Sequence, residues 1–401
     1  MTSTTTSTVT STMIPEKQIP TTAFVVEKPG APFTLQEVIL DEVRSNEVLV
    51  EMKYTGLCHT DIVVQQGAIP VGDFPAVLGH EGAGIVRRVG SNVKDKSLRE
   101  GDLVFLSFAS CHGETCNPCN DGRNGFCDQV TILNFGGARG PNAADSPISF
   151  PGGKGPLRGQ FFGQSSMSKL AIVAENSVVK AAPGSGVTIE DMAVLAPLGC
   201  GYLTGAGTVF NVLKPKPNSR FVVLGMGAVG LAALLAARSQ GVENVIAVDI
   251  VDAKLELAKS LGASHTLNTK NIPDLAAHLL ELFPGGVQCV LDTTGVTPLL
   301  QAGIDSLGHE GTLAIVGVAR AGQKLNIDPL SFMMGCKKIV GAIEGCADPA
   351  QLVPQLIDLY KQGKFPVDKL AKIYTTDKFE EAMHDLHSGT VIKPIIKWTD
   401  Q

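Results

Sequence analysis

Four cysteines, Cys111, Cys116, Cys119 and Cys127, fall within 17 residues, separated by four, two and seven others. Four thiolates at such spacing suit a closed tetrahedral zinc site with no position for water, which would pin a loop and do no chemistry. Two disulfides or free thiols are the other readings of that spacing. A second set is scattered: Cys58 in Cys58-His59-Thr60-Asp61, His80 between Gly79 and Glu81, and Cys200 between Gly199 and Gly201. Two thiolates and one imidazole with an open fourth position describe a catalytic zinc. Cysteine is often simply buried and a lone histidine is more often structural, so spacing alone leaves this second set open.

A third group is built of glycines. The apolar run Phe221 to Leu224 leads into Gly225, Gly227 and Gly230, a G-x-G-x-x-G at a strand-to-helix turn, where a pyrophosphate can rest on free backbone N–H groups. A second strand pattern ends at Asp249, 19 residues after Gly230, where a ribose-binding acid belongs. Its carboxylate can accept from both ribose hydroxyls and would repel a 2′-phosphate, so NAD is expected over NADP. The bland alternative is an ordinary α/β domain with a glycine turn and a surface aspartate. Lys254 is either a further ribose contact or a solvated helix charge.

These groups need elements to hold them. With 401 residues the chain has room for two or three domains, and 44% hydrophobic against 18% charged residues is a globular balance. A net charge of −6 gives no electrostatic reason to bind nucleic acid. Nine cysteines, an odd and clustered set without a secretory signal, point to metal ligands before disulfides, and to a reducing, cytoplasmic setting. Residues 1–20 open with a Ser/Thr-rich stretch that reads as a disordered lead. Met192 to Leu213 carries no charge over 22 residues, but Pro197 and four glycines favour a buried segment over a membrane span.

Between about Ala23 and Asp102, short β-like runs separated by turn residues predict a mainly β domain. Residues 111–163 predict long loops. From Arg220, strand-like runs at 221–225, 245–249, 287–292 and 312–317 alternate with helical patterns at 228–240, 252–261, 273–282 and 297–306, the signature of a parallel sheet. Helices at 349–362 and near 378–388 and a strand near 391–398 complete the prediction.

With these motifs in this order the chain resembles the zinc-dependent medium-chain alcohol dehydrogenases, most narrowly those acting on aryl and benzyl alcohols, over roughly residues 20–398. The carrying segments are Gly56 to Asp61, Leu78 to Gly84, the cysteine loop, Pro197 to Gly201, the Gly225 turn with Asp249, and Ser388-Gly389 followed by Lys393. The resemblance implies an α/β fold: a GroES-like, mainly β catalytic domain (21–201, resumed at 344–401) around a Rossmann doubly wound parallel sheet (202–343). It implies that Cys58, His80 and Cys200 hold a catalytic zinc, with Glu81 behind it as an occasional fourth ligand and Asp61 orienting His80. It also implies a second, structural zinc on the four cysteines, and a cofactor site that takes in Thr204, Ala228, Val229, Val316, Val318 and Lys393.

Two positions depart from the family pattern. Four residues separate Cys111 from Cys116 where two are usual, which makes His112 a conceivable substitute ligand. Val63 stands where well-known members carry a proton-releasing histidine, three residues after Thr60, so His59 is the nearest alternative base; a contact to the pyrophosphate is its other reading. The expected reaction interconverts a primary alcohol, benzylic or allylic, and its aldehyde, with Thr60 accepting the alcohol proton and hydride passing to NAD. Small-molecule alcohols and aldehydes are the expected partners, with no nucleic acid or membrane and a homo-oligomeric assembly, dimer or tetramer. The rivals are a glutathione-dependent formaldehyde dehydrogenase and a non-catalytic nucleotide-binding sensor on the same fold.

Overall fold

A computed structural model describes residues 17–69, 73–113, 115–139, 145–153 and 155–399. Of the N-terminal lead expected over 1–20, residues 1–16 lie outside the described residues, and its end is corrected: Ile19 and Pro20 already belong to the strand Ile19–Val26, where Ile19 is buried in the core. A six-stranded parallel sheet runs in the order His265–Asn268, Asn244–Asp249, Arg220–Leu224, Val287–Asp292, Leu307–Ile315, Lys338–Gly341. Its central strands are continuous apolar runs because helices cover both faces: Phe221, Val222, Val223 and Leu224 are all fully buried. The helices Ala228–Ser239, Asp252–Ser260, Leu275–Leu282 and Thr297–Asp305 lie within a few residues of the predicted spans. The strand expected at 312–317 begins earlier, at Leu307, and ends at Ile315.

The rest of the chain forms two largely antiparallel sheets. One joins Ala76–Val77, Ile19–Val26, Thr34–Leu40 and Ile148–Ser149. The other is centred on Glu47–Gly56, which pairs with Gly82–Val89, with Leu170–Ala174 and with Lys393–Lys397. Segments from both ends of the sequence therefore build one unit around the parallel sheet. The predicted loops of 111–163 hold only short helical pieces, among them Asn117–Asn120 and Val130–Phe135.

No single helix among the described residues is long and apolar enough to cross a membrane. The uncharged stretch from Met192 instead bends by 60° between Gly199 and Gly201, and Met192, Leu195, Leu198, Tyr202, Leu203 and Val209 are buried. Its glycines have a packing reason. A Cβ on Gly205 would stand 2.1 Å from the carbonyl oxygen of Val229, so the helix Gly201–Gly207 lies flat against Ala228–Ser239. That contact ties the segment carrying Cys200 to the helix that opens at the glycine turn.

Candidate active site

The scattered set converges. Ligand atoms of Cys58, His80, Glu81 and Cys200 all lie within 4.8 Å of one another. Cys58 precedes the helix His59–Gln65, His80 stands between the strands Ala76–Val77 and Gly82–Val89, and Cys200 sits at the bend before Gly201–Gly207. One carboxylate ties two of these segments together: Asp61 accepts from the backbone of Cys58 at 3.2 Å and of Gly79 at 3.0 Å, and its Oδ1 lies 3.1 Å from His80 Nδ1. With Nδ1 engaged there, His80 Nε2 is fully buried and without a hydrogen-bond partner. An orphaned imidazole nitrogen facing two thiols is what a bound zinc would satisfy, so the residues present fit the metal.

The electrostatics agree. A hydrogen bond from Cys200, with the charges of His80 and Lys393, holds the Cys58 thiol well below its ordinary range despite burial. Burial opposes protonation of His80, but Asp61 and Cys58 outweigh it and raise the group. Burial pushes Glu81 up to about 7 against the pull of Lys393. Lys393 donates to both Glu81 oxygens at 2.9 Å and to the carbonyl of Leu57 at 3.1 Å. The Lys393 ammonium thus sits beside the cluster with its counter-ion close by, as a buried charge requires.

The second set also assembles. The four sulfurs of Cys111, Cys116, Cys119 and Cys127 lie within 4.8 Å of one another and none is disulfide-bonded. His112 takes no part; its Nε2 lies 2.9 Å from Ser110 Oγ. The longer gap before Cys116 is therefore accommodated without a substitute ligand. A closed four-thiol cluster matches the chemistry of a structural zinc.

At the glycine turn each glycine has its own reason. Gly225 has φ +95°, and a Cβ there would press to 2.5 Å on Thr293. A Cβ on Gly230 would come within 1.9 Å of the Gly225 carbonyl, whereas one on Gly227 would meet nothing within 4 Å. That open cradle, at the start of Ala228–Ser239, fits a pyrophosphate. Asp249 ends its strand beside the turn and accepts from the backbone of Met226 and Ile250 at 2.7 Å and of Val251 at 3.0 Å. Cradle and metal cluster adjoin: a Cβ on Gly201 would lie 3.1 Å from Glu81 Oε1 and 3.8 Å from the Ala228 side chain.

Other expected residues are placed less tightly. Thr60 Oγ1 lies 3.7 Å from Cys58 Sγ, while His59 is exposed at the head of its helix. Val316 and the 69% exposed Val318 follow the strand Leu307–Ile315 at its carboxyl end. Lys254 leans toward the other unit, its Nζ within 3.1 Å of where a Cβ on Gly389 would stand.

The sequence reading missed two features. Phe162 stacks on the His80 ring at 4.5 Å, with Phe161 edge-on at 5.6 Å. Glu344 accepts from Thr204 Oγ1 at 3.1 Å and lies 3.9 Å from Cys200 Sγ; burial pushes its carboxyl up to about 7. A consecutive pair of phenylalanines was a visible signal; a lone glutamate in an unpatterned stretch was none.

Two family descriptions match, "Alcohol dehydrogenase GroES-like domain" over residues 44–184 and "Zinc-binding dehydrogenase" over 228–362. The chain is 37% identical over 374 residues to the geraniol dehydrogenase of Castellaniella defragrans, covering 93% of this chain and 96% of that one. This chain is a zinc-dependent medium-chain alcohol dehydrogenase. Its fold superposes on the crystal structure of benzyl alcohol dehydrogenase from Acinetobacter calcoaceticus with a TM-score of 0.87 and 41% identity, over 95% and 99% of the two chains. A zinc-binding alcohol dehydrogenase protein from Burkholderia ambifaria gives 0.89 and 40%, over 96% and 100%. The dehydrogenase is also 31% identical to the S-(hydroxymethyl)glutathione dehydrogenase of Komagataella pastoris, over 93% of this chain and 96% of that one.

Proposed function

We propose that this dehydrogenase interconverts a benzylic or allylic primary alcohol and its aldehyde, using NAD and carrying two zinc ions per chain. The observation that carries the reading is the Cys58, His80 and Cys200 cluster, with its orphaned His80 Nε2, beside the open Gly227 cradle. Zinc, when bound, supplies a Lewis acid that lowers the alcohol pKa, and the nicotinamide supplies the hydride acceptor. The chain does the rest. Asp61 fixes the His80 tautomer, Thr60 accepts the alcohol proton beside Cys58, and His59 or solvent carries it outward. Asp249 takes the adenosine ribose, and Gly225, Gly227 and Gly230 with Ala228 and Val229 make room for the phosphates. Thr204, Val316 and Val318 line the way between, with Lys254 at its edge. Residues 21–201 and 344–401 act as the catalytic domain and 202–343 as the cofactor domain.

The relatives named for geraniol and benzyl alcohol, an allylic and a benzylic alcohol, support that substrate class. The relative named for S-(hydroxymethyl)glutathione keeps a second reading alive. A panel of benzylic, allylic, aliphatic and polyol alcohols, and of formaldehyde with glutathione, scored by NADH appearance, tests both. Highest kcat/KM for the glutathione adduct would replace the first reading by the second. Nine free thiols suit a cytoplasmic setting. Exposed Leu330, Met333 and Met334 beside the edge strand Lys338–Gly341 suit a homo-oligomer, dimer or tetramer, to be counted by sedimentation.

A further inference from the structure

Asp61 joins Cys58 to His80, but none of its hydrogen bonds reaches Cys200. That connection falls to Gln164 and Ser107, two fully buried polar residues that the proton path does not use. Gln164 Nε2 donates to the carbonyls of His80 at 3.1 Å and of Ser107 at 3.0 Å, and its Oε1 accepts from the backbone of Gly82 at 3.2 Å. Ser107 Oγ in turn donates to the Gly199 carbonyl at 2.6 Å, one residue before Cys200. The line from His80 through Gln164 and Ser107 to Gly199 thus bridges four segments that are remote in sequence.

The chain needs these side chains because Leu78 to Glu81 runs between strands, outside any ladder. The carbonyls of Leu78, Gly79 and Glu81 accept from the backbones of Met167, Ser166 and Gly56, whereas that of His80 is met by the Gln164 side chain. A buried carbonyl without a partner is costly, so this position is a demand and not an option. Only an amide offers two N–H hydrogens and an acceptor in one plane, so two carbonyls and one N–H select glutamine over glutamate or methionine. Close backbone approach fixes the other end. A Cβ on Gly199 would stand 1.8 Å from the Leu106 carbonyl oxygen, and one on Gly82 would stand 2.7 Å from Ser166 Cβ and 3.1 Å from Gln164 Oε1.

A hydrogen bond from the Gly201 backbone to Glu81 Oε1 at 3.1 Å crosses the same gap. It ends on a carboxylate of the cluster itself, so it would break whenever Glu81 turned to a metal. The bonds of Gln164 and Ser107 end on backbone and would persist through such a turn.

We propose that Gln164 and Ser107 are positioning residues that fix the separation of His80 from Cys200, and so set how firmly the open site holds its metal. The proposal rests on the zinc reading of that cluster.

Zinc release from the zinc-loaded full chain to the chromogenic chelator 4-(2-pyridylazo)resorcinol reads this without turnover. Cys200→Ala, which lacks the open site, assigns the two release phases. Groups that orient metal ligands are typically worth about 10–100-fold in metal affinity, so Ser107→Ala and Gln164→Met should each speed release from the open site about tenfold. Release from the four-cysteine site should stay as it was. In turnover, kcat should fall while KM for the cofactor holds. Ser168→Ala controls for the loss of a buried hydroxyl elsewhere: Ser168 Oγ donates to the carbonyls of Leu170 at 2.6 Å and Thr22 at 3.3 Å, and its removal should leave both phases unchanged. Should Gln164→Met fail to fold, Ser107→Ala, which loses one oxygen, still decides. Unchanged release from folded Ser107→Ala, or equal acceleration at both sites, overturns the proposal. An unmodified enzyme that shows only the four-cysteine phase defeats the zinc reading itself and takes the proposal with it.

Discussion

Lys393 Nζ lies 2.9 Å from both carboxylate oxygens of Glu81, and both side chains are all but fully buried. Removing one partner of such a pair strands the other charge, at a cost of about 3–5 kcal/mol. Lys393→Met should therefore lower the unfolding free energy by about that much in a denaturant titration. The double variant Lys393→Met with Glu81→Gln should recover a large part of the loss. Equal stability of the single and double variants would show that the pair is not what holds Glu81.

Metal analysis of the purified enzyme should give two zinc ions per chain. Cys200→Ala should lose one of them and all turnover while the fold persists, because its thiol belongs to the open set. Cys119→Ala should lose the other and lower thermal stability, since that metal clamps a loop with little core of its own. Less than one zinc per chain in active protein would refute the assignment of both sites.

Asp249 is fixed by three backbone N–H groups, and in the proposed NAD site its carboxylate takes the ribose hydroxyls and repels a 2′-phosphate. Asp249→Ser should narrow the preference for NAD over NADP by at least about tenfold in kcat/KM, since a buried hydrogen bond to a charged group and a removed repulsion act together. Equal kcat/KM with both cofactors before mutation would place the adenosine pocket elsewhere.

In the proposed proton path, with valine at position 63, the alcohol proton leaves through Thr60. Thr60→Val should cripple turnover. If His59 is the outward carrier, His59→Gln should lower kcat at neutral pH by about 10²–10⁴-fold, with partial rescue by imidazole. A change confined to KM for NAD would assign His59 to the pyrophosphate instead.

Thr188 and Asp191 cap the helix Ile189–Leu195 reciprocally, and Lys361 lies 2.7 Å from Asp191. Burial would raise the Asp191 carboxyl, but Lys361 and Thr188 outweigh it and hold it below the usual range. A depressed carboxyl contributes stability above the unfolded value of about 3.9 and loses it as pH falls through the lower, folded one. Asp191→Asn should thus cost about 1 kcal/mol at pH 7, with the gap to the parent closing as pH drops below about 4. A gap independent of pH would mean that shape alone, not charge, matters at this cap.

How much of this was legible in the sequence depends on how each residue is surrounded. Strands buried on both faces announce themselves, as Phe221 to Leu224 do, because no polar residue can interrupt them. The edge strands His265–Asn268 and Lys338–Gly341 have one open side, so His265 and Lys338 break the apolar run and hide them. Leu307–Ile315 carries Gly308, His309, Glu310 and Gly311 near its start, which interrupt the apolar run; a Cβ on Gly308 would stand 2.3 Å from the Gly285 carbonyl. The cysteine loop and the glycine turn were readable because their chemistry is local. The catalytic set needed a resemblance to unite it, and Glu344 needed the fold, since only folding sets it beside Thr204.

The strand Lys393–Lys397 pairs with Glu47–Gly56, Ile395 opposite Gly56. This has a consequence in time. During synthesis the ribosome delivers Glu81, Cys58, His80 and Cys200 long before Lys393, so the emerging catalytic half holds its ligands with an acid between them and no counter-ion. A product stalled or clipped ahead of residue 393 would carry every zinc-binding side chain and still be unable to close its own centre. Competence waits on the arrival of residue 393, and products shortened ahead of it leave the edge at Tyr54 to Gly56 without its partner strand.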